Sequence, residues 1–261
     1  MTETRTLLID SDVFLYAAAS ATETEVQWDD DLWTVHGYLN EAIGHFDSKI
    51  ADIKEAVAGT HLVMAMTASN NFRAKVLPTY KGNRKGKRKP VTFKPLRDYA
   101  MEKYFNAEVP TLEADDVLGI MATRGETAGN HYVVVSIDKD LNTIPGLHFN
   151  TLHPERGVYR VTLPMADAFF LKQALMGDAT DGYGGCPGIG PKTADKILAP
   201  YNTETETDVA GAWVAIVAAY AKAGLNETVA LQMARCARIL RDSDYDHEQQ
   251  KVILWTPPLK A

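Results

Sequence analysis

Three short runs of the chain are almost continuously apolar, rich in β-branched residues, and end on polar ones: RTLLID (5–10), HLVMAMT (61–67) and HYVVVSID (131–138). Apolar residues without alternation suit strands buried on both faces, as in a parallel sheet. Long connections separate the runs. In the first of them Leu39, Ile43, Phe46, Ile50, Ile53 and Val57 recur in steps of four and three, which places them on one face of a helix. Further helices are expected near 96–105, 115–124 and 165–176. Strands alternating with helices predict an α/β fold with a mostly parallel central sheet flanked by helices, whose functional groups gather beyond the carboxyl ends of the strands. Asp10 and Asp138 stand at two such ends. After about residue 163 the pattern turns helical, with PKTADKIL (191–198) and helices near 209–223 and 227–241. The expected division is an α/β core over 1–163 and a helical subdomain over 164–261.

The longest uncharged apolar stretch, VAGAWVAIVAAY (209–220), is shorter than the roughly 20 residues needed to span a bilayer and reads as a buried helix. MTETRTLLID lacks the basic start and apolar core of a secretory signal, and Cys186 and Cys236 have no metal or redox spacing, so a reducing cytoplasm is the expected setting. A formal net charge of −7 argues against non-specific coating of nucleic acid, but the charges are segregated. Lys81, Arg84, Lys85, Lys87, Arg88, Lys89, Lys94 and Arg97 fall in a stretch with no acid, so that the remainder sits at about −15. The segment 78–97 is suited to meet a polyanion.

Carboxylates form four clusters: Asp10 and Asp12; Glu113, Asp115 and Asp116; Asp138 and Asp140; Asp178 and Asp181. Spacings of three in a helix or tight turn, or two at a strand end, aim pairs of side chains the same way. Taken singly, each pair is explained as a helix cap or turn former. Gathered in one crevice they would repel one another and raise their own pKa values unless a cation held them. An all-oxygen donor set favours Mg²⁺ or Mn²⁺ over Zn²⁺, and the seven histidines are scattered.

In GCPGIGPKTADKIL (185–198) a glycine-rich turn leads to Pro191, a residue suited to the first turn of a helix. Gly188 and Gly190 would let the backbone approach a phosphate, the helix start offers free N–H groups, and Lys192 and Lys196 add charge. This has the shape of a helix-hairpin-helix for a phosphodiester backbone. A plain glycine-rich connection is the alternative, and a Walker-type loop is excluded because G-x-x-x-x-G-K-[ST] is absent.

LLIDSD, YKGNR, LEADDVLG, SIDKDL and GDATDGYGGCPGIGPKTA, in that order over residues 7 to about 198, resemble the 5′-nuclease or flap endonuclease superfamily, and within it the 5′-to-3′ exonucleases of bacteriophages. The resemblance implies a PIN-like core and a helix-hairpin-helix subdomain. It implies that Asp10, Glu113, Asp115 and Asp116 hold one metal ion and that Asp138, Asp140, Asp178 and Asp181 hold or approach a second. Lys81 and Arg84 would address the scissile phosphate, with Tyr80 near the terminal nucleotide. Lys85, Lys87, Arg88, Gly188, Gly190, Lys192, Thr193 and Lys196 would contact DNA, and Gly185, Gly188 and Ile189 would lie near a potassium ion. Members of that superfamily commonly carry an aspartate just after the second strand, where this chain reads MAMTASNNFR (64–73). Either Asp12 replaces it or a metal keeps an extra water. Gly82, Gly86, Pro90 and Pro95 disfavour a long helical arch and point to a short clamp.

The expected activity is Mg²⁺- or Mn²⁺-dependent hydrolysis from the 5′ ends or flaps of duplex DNA by a monomer, with RNA in an RNA–DNA hybrid as a further candidate substrate. The resemblance implies a place in phage replication and primer removal. Two alternatives remain open: a DNA-structure-binding protein with a degraded site, and a PIN-type ribonuclease.

Overall fold

In the computed structural model, which describes residues 5–84, 86–127 and 132–259, the elements alternate as the apolar pattern predicts. The core comprises β1 (Thr6–Asp10), α1 (Ser11–Ala21), a hairpin of β2 (Glu23–Asp29) and β3 (Leu32–Gly37), α2 (Leu39–Val57), β4 (His61–Met66), the single turn α3 (Arg73–Val76) and α4 (Phe93–Lys103). It continues through β5 (Asn106–Glu108), α5 (Ala114–Thr127), β6 (Tyr132–Ser136), β7 (Gly146–Asn150) and β8 (Tyr159–Val161). Then follow α6 (Leu163–Met176), α7 (Pro191–Leu198), α8 (Val209–Lys222), α9 (Glu227–Ala237) and a short ribbon of β9 (Tyr245–Asp246) and β10 (Lys251–Val252).

Six strands form the central sheet in the order β5-β4-β1-β6-β7-β8, parallel except for the β7–β8 pair. Leu7, Ile9, Met64, Met66, Val133 and Val135 pack on one face against α1, α2 and α4 residues such as Phe14, Phe46, Ile50 and Leu96. Leu8, Val63, Ala65 and Val134 face the other way, toward Val117 and Leu118 of α5. Burial on both faces explains why these strands read as unbroken apolar runs. The third cluster joins Phe170, Leu171, Leu175, Trp213, Ile216 and Tyr220 across α6 and α8. Among the described residues no helix is long and apolar enough to cross a membrane.

Strand order fixes where the site can be. From β1 the chain builds outward through β4 to β5, and from β6 it builds the other way to β7 and β8. The connections therefore diverge between β1 and β6, and a crevice opens beyond their carboxyl ends.

Three elements depart from the sequence expectations. The β2–β3 hairpin carries Trp28, Leu32 and Trp33 in the open, all more than half exposed; without a buried face its pattern is too polar to read as sheet. The edge strand β8 is only three residues long, too short for periodicity to register. The last helix ends at Ala237 rather than near 241; at Arg238 the backbone turns to φ −69°, ψ 108°, and the segment beyond is drawn against α5. The basic segment forms one short turn, Gly82–Arg84, and the described residues 86–92 contain no helix, in line with its glycines and prolines. Lys85 lies outside the described residues.

Candidate active site

Asp10 ends β1, and its Oδ2 accepts a hydrogen bond from Ser136 Oγ at the end of β6 (2.6 Å). The same Ser136 oxygen accepts from the Asp138 N–H (3.0 Å), and Asp138 Oδ1 accepts from the Asp140 N–H (2.8 Å). One hydroxyl thus ties two carboxylate-bearing strand ends together across the crevice. Ser136 was not among the sequence candidates, although its place two residues before Asp138, on the same face of a strand, marks it.

The acidic groups from separate parts of the chain lie close enough to shift one another. Burial first, then Asp12 and Asp138, push the Asp10 carboxyl up to about 7 against the opposing Ser136 bond. Burial, Asp10 and Glu113 raise Asp115. Asp140 is pushed up to about 7 by burial, Asp138, Asp178 and Asp181, and its buried Oδ1 has no hydrogen-bond partner. Asp178 Oδ1 accepts from the N–H groups of Thr180 and Asp181, which shapes the loop after α6.

The basic segment reaches into this cluster. Lys81 Nζ donates to Glu113 Oε1 and stands 3.5 Å from Asp181 Oδ2, while Arg84 Nη2 pairs with Asp181 Oδ1 at 2.6 Å. Burial disfavours the Lys81 charge, but Glu113 and Asp181 outweigh it and raise the ammonium pKa; Lys81 and Arg73 likewise hold Glu113 below its ordinary value despite its burial. Lys81 has φ +51°, a left-handed conformation strained for a residue with a Cβ, and its N–H donates to the Asp181 carbonyl at 2.7 Å. Asn83 straps the same segment onto the Ala179 and Thr180 carbonyls.

Two expectations need correction. Asp116 is fully buried and closed: Arg73 Nη1 and Nη2 each donate to it at 2.7 Å, and the N–H groups of Glu113 and Leu240 at 3.1 Å. A buried guanidinium and two backbone N–H groups hold it, whereas Glu113 and Asp181 both face the partly exposed Lys81, so Asp116 lies a layer beneath the crevice. Tyr80 is 8% exposed and stacks on Tyr183 with ring centroids 6.4 Å apart. Its hydroxyl donates toward Glu113 Oε2 and Asp181 Oδ2, both at 3.0 Å, so the side chain expected beside the terminal nucleotide is closed off beneath the crevice. Neither Arg73 nor Tyr183 was among the sequence candidates, since an isolated arginine and tyrosine carry no periodic signal.

The residue after β4 ties two parts of the site together. The Thr67 N–H donates to Asp12 Oδ2 at 3.0 Å, and Thr67 Oγ1 accepts from the Ala114 N–H at the start of α5. Asp12 therefore reaches from α1 to the end of β4, the strand end at which an aspartate was expected.

In the glycine-rich loop, Gly188 (φ +76°) and Gly190 have nothing within 4 Å of an added Cβ, and Lys192, Thr193 and Lys196 are exposed on α7. That leaves an open approach to the helix start. Gly185 differs: an added Cβ would lie 2.3 Å from the Gly177 nitrogen, so its bareness lets the loop pack on the end of α6. Ile189 is half-buried beneath the loop. On the basic segment Lys87 is exposed, and Arg88 forks onto Glu23 at 2.6 and 3.0 Å.

Among the described residues, no three His, Cys, Asp or Glu side chains are already grouped to hold a metal ion; lysine and arginine supply the countercharge instead. Burial and the neighbouring acids nevertheless raise Asp10, Asp115 and Asp140, and Asp140 Oδ1 has no partner. This hard-oxygen donor set fits a divalent cation of the Mg²⁺ or Mn²⁺ kind. A testable consequence concerns pH. Asp10 and Asp140 bind protons more tightly folded than unfolded, so their contribution to metal-free stability is full below the ordinary carboxylate range and lost as pH rises through about 7. Melting in EDTA should fall from pH 5.5 to pH 8; a rise across that window would contradict the assignment.

A parallel sheet with carboxylates gathered at its switch point, a cationic segment folded onto them and an open glycine turn leading into a helix together define a nuclease of the 5′-nuclease class. The comparisons agree. Residues 5–162 match the model of the 5′-3′ exonuclease N-terminal resolvase-like domain. The chain is 31% identical to the exonuclease of Escherichia phage T7 over 96% of its own length and 93% of that protein, and 30% identical to the exodeoxyribonuclease of Enterobacteria phage T3 over 96% and 92%. Among solved structures, it matches T5 5′-exonuclease bound to divalent metal ions (zinc), with a TM-score of 0.65, 16% identity and coverage of 89% of each chain. The chain belongs to the 5′-3′ exonuclease family.

Proposed function

We propose that this chain removes nucleotides from the 5′ ends of duplex DNA by divalent-metal-assisted phosphodiester hydrolysis, and that it also accepts 5′ flaps. The observation that carries this reading is the convergence of Asp10, Asp115, Asp138, Asp140, Asp178 and Asp181 on one crevice, where burial and the neighbouring acids push the Asp10, Asp115 and Asp140 carboxyls up. We assign Asp10, Glu113, Asp115, Asp138, Asp140, Asp178 and Asp181 as the residues that hold Mg²⁺ or Mn²⁺, with Asp12 serving where the second-strand aspartate is missing. When bound, such ions acidify the attacking water and neutralise charge building on the phosphate.

The chain's own groups do the rest. Ser136 orients Asp10, and the backbone bond to Asp138 fixes Asp140. Lys81 and Arg84, which rest on Glu113 and Asp181, would supply positive charge to a phosphate entering the crevice. The exposed turn at Gly188 and Gly190, with Lys192, Thr193 and Lys196, holds the phosphodiester track, and Lys87 adds long-range attraction. A potassium ion at the carbonyls near Gly188, activity on RNA in hybrids and a monomeric state are further parts of this proposal.

The test is a 5′-labelled duplex incubated with Mg²⁺ and then with EDTA. Label released only with Mg²⁺ supports the nuclease; binding without release in both conditions would instead mark a DNA-structure-binding protein. Hydrolysis confined to single-stranded RNA would favour a PIN-type ribonuclease.

A further inference from the structure

Arg73, in the first turn of α3 and 2% exposed, uses all five of its N–H donors. Its Nε donates to the Cys236 carbonyl (3.0 Å) and its Nη2 to the Arg238 carbonyl (2.6 Å), which lie at the end of α9, where helical carbonyls lack intrahelical partners. The two Nη atoms form a fork on Asp116 at 2.7 Å, and Nη1 also reaches Glu113 Oε2 at 3.4 Å. Phe72 covers the guanidinium, whose central carbon is 4.6 Å from the ring centroid. The same junction is closed from the other side: the Leu240 N–H donates to Asp116 Oδ1, and an added Cβ on Gly119 of α5 would sit 2.2 Å from the Leu240 carbonyl oxygen.

Glu113 thus has three partners. Lys81 and Tyr80 belong to the segment that also grips Asp181, whereas Arg73 links Glu113 to the end of α9. We propose that Arg73 is a positioning residue: through Glu113 and Asp116 it sets the acidic crevice at a fixed distance from the helical subdomain, so that a duplex seated on that subdomain meets the carboxylates in one register. This inference rests on the nuclease reading above. A planar fork is required, because an ammonium offers three donors from a single point and cannot serve two helix-end carbonyls and a carboxylate pair together.

The experiment compares wild type with Arg73→Lys for melting temperature, duplex affinity in EDTA, and kcat and KM on a 5′-labelled duplex with Mg²⁺. A displacement of about 1 Å at the reacting groups lowers turnover on the order of 100-fold, so kcat should fall at least tenfold while duplex affinity and KM stay within about twofold. An unchanged kcat, or affinity and kcat falling in parallel with stability, would overturn the proposal. Should Arg73→Lys fail to fold, the double variant Arg73→Met with Asp116→Asn removes both buried charges together, so that neither is left unpaired, and the amide oxygen still accepts from the backbone N–H groups that Asp116 serves. The same split between kcat and affinity is expected there, and wild-type turnover would overturn the tether. Wild-type protein that leaves the label intact would sink the nuclease reading itself, a result distinct from any behaviour of the variants.

Discussion

Asp140→Asn should stabilise the metal-free protein while removing its activity. The Asp140 carboxyl is raised to about 7 by burial and by Asp138, Asp178 and Asp181, and its Oδ1 has no partner. An amide of the same shape removes a repelled charge at neutral pH, and a gain of about 1 kcal/mol in a chain of this size raises the melting temperature by about 2–4 °C. The same change deletes one anionic oxygen donor, so turnover should fall on the order of 10³-fold, comparable to loss of a preorganised electrostatic group. Duplex affinity in EDTA should hold or improve, since a charge facing phosphate is gone. Melting in EDTA and in Mg²⁺, together with single-turnover cleavage, reads all three. A variant that melts like wild type and cleaves at the wild-type rate would place Asp140 outside the site.

Lys81→Ala is expected to act in the opposite sense on stability. Lys81 is the ammonium between Glu113 and Asp181, held there by a left-handed backbone. Without it, two carboxylates lose a countercharge, and the metal-free protein should melt lower and bind divalent ions with a different pH dependence. Turnover should fall about 100- to 1,000-fold through loss of charge stabilisation at the phosphate, with duplex affinity changed only a few-fold. If affinity alone dropped, Lys81 would be an ordinary backbone contact. The two variants would separate the proposed roles: an acid that destabilises the metal-free fold and serves the chemistry, and a base that neutralises the acids at rest and meets the substrate.

The hydrophobic pattern was sufficient to place β1, β4, β6, α2 and α5 and to name the acids at their ends, because buried strands and amphipathic helices imprint their period on sequence. It also made the basic segment and the glycine turn legible by composition. It did not distinguish Asp116 from Asp115, although the two are adjacent: one faces a buried arginine and the other the crevice, and a helix turns about 100° between them. The resemblance placed Tyr80 near the terminal nucleotide, yet Tyr183, 103 positions later, covers its ring.

The sequence alone therefore determined the kind of fold, the acidic and basic inventory and the class of chemistry, since these follow from local period and residue type. Tertiary structure alone decided which carboxylates share a crevice, that Asp12 reaches the end of β4 through Thr67, that Ser136 joins Asp10 to the Asp138 backbone, and that Arg73 binds α5 to the end of α9. Apart from the Ser136–Asp138 bond, those contacts join residues tens to more than a hundred positions apart, and their strength depends on burial and angle, which no local spacing encodes.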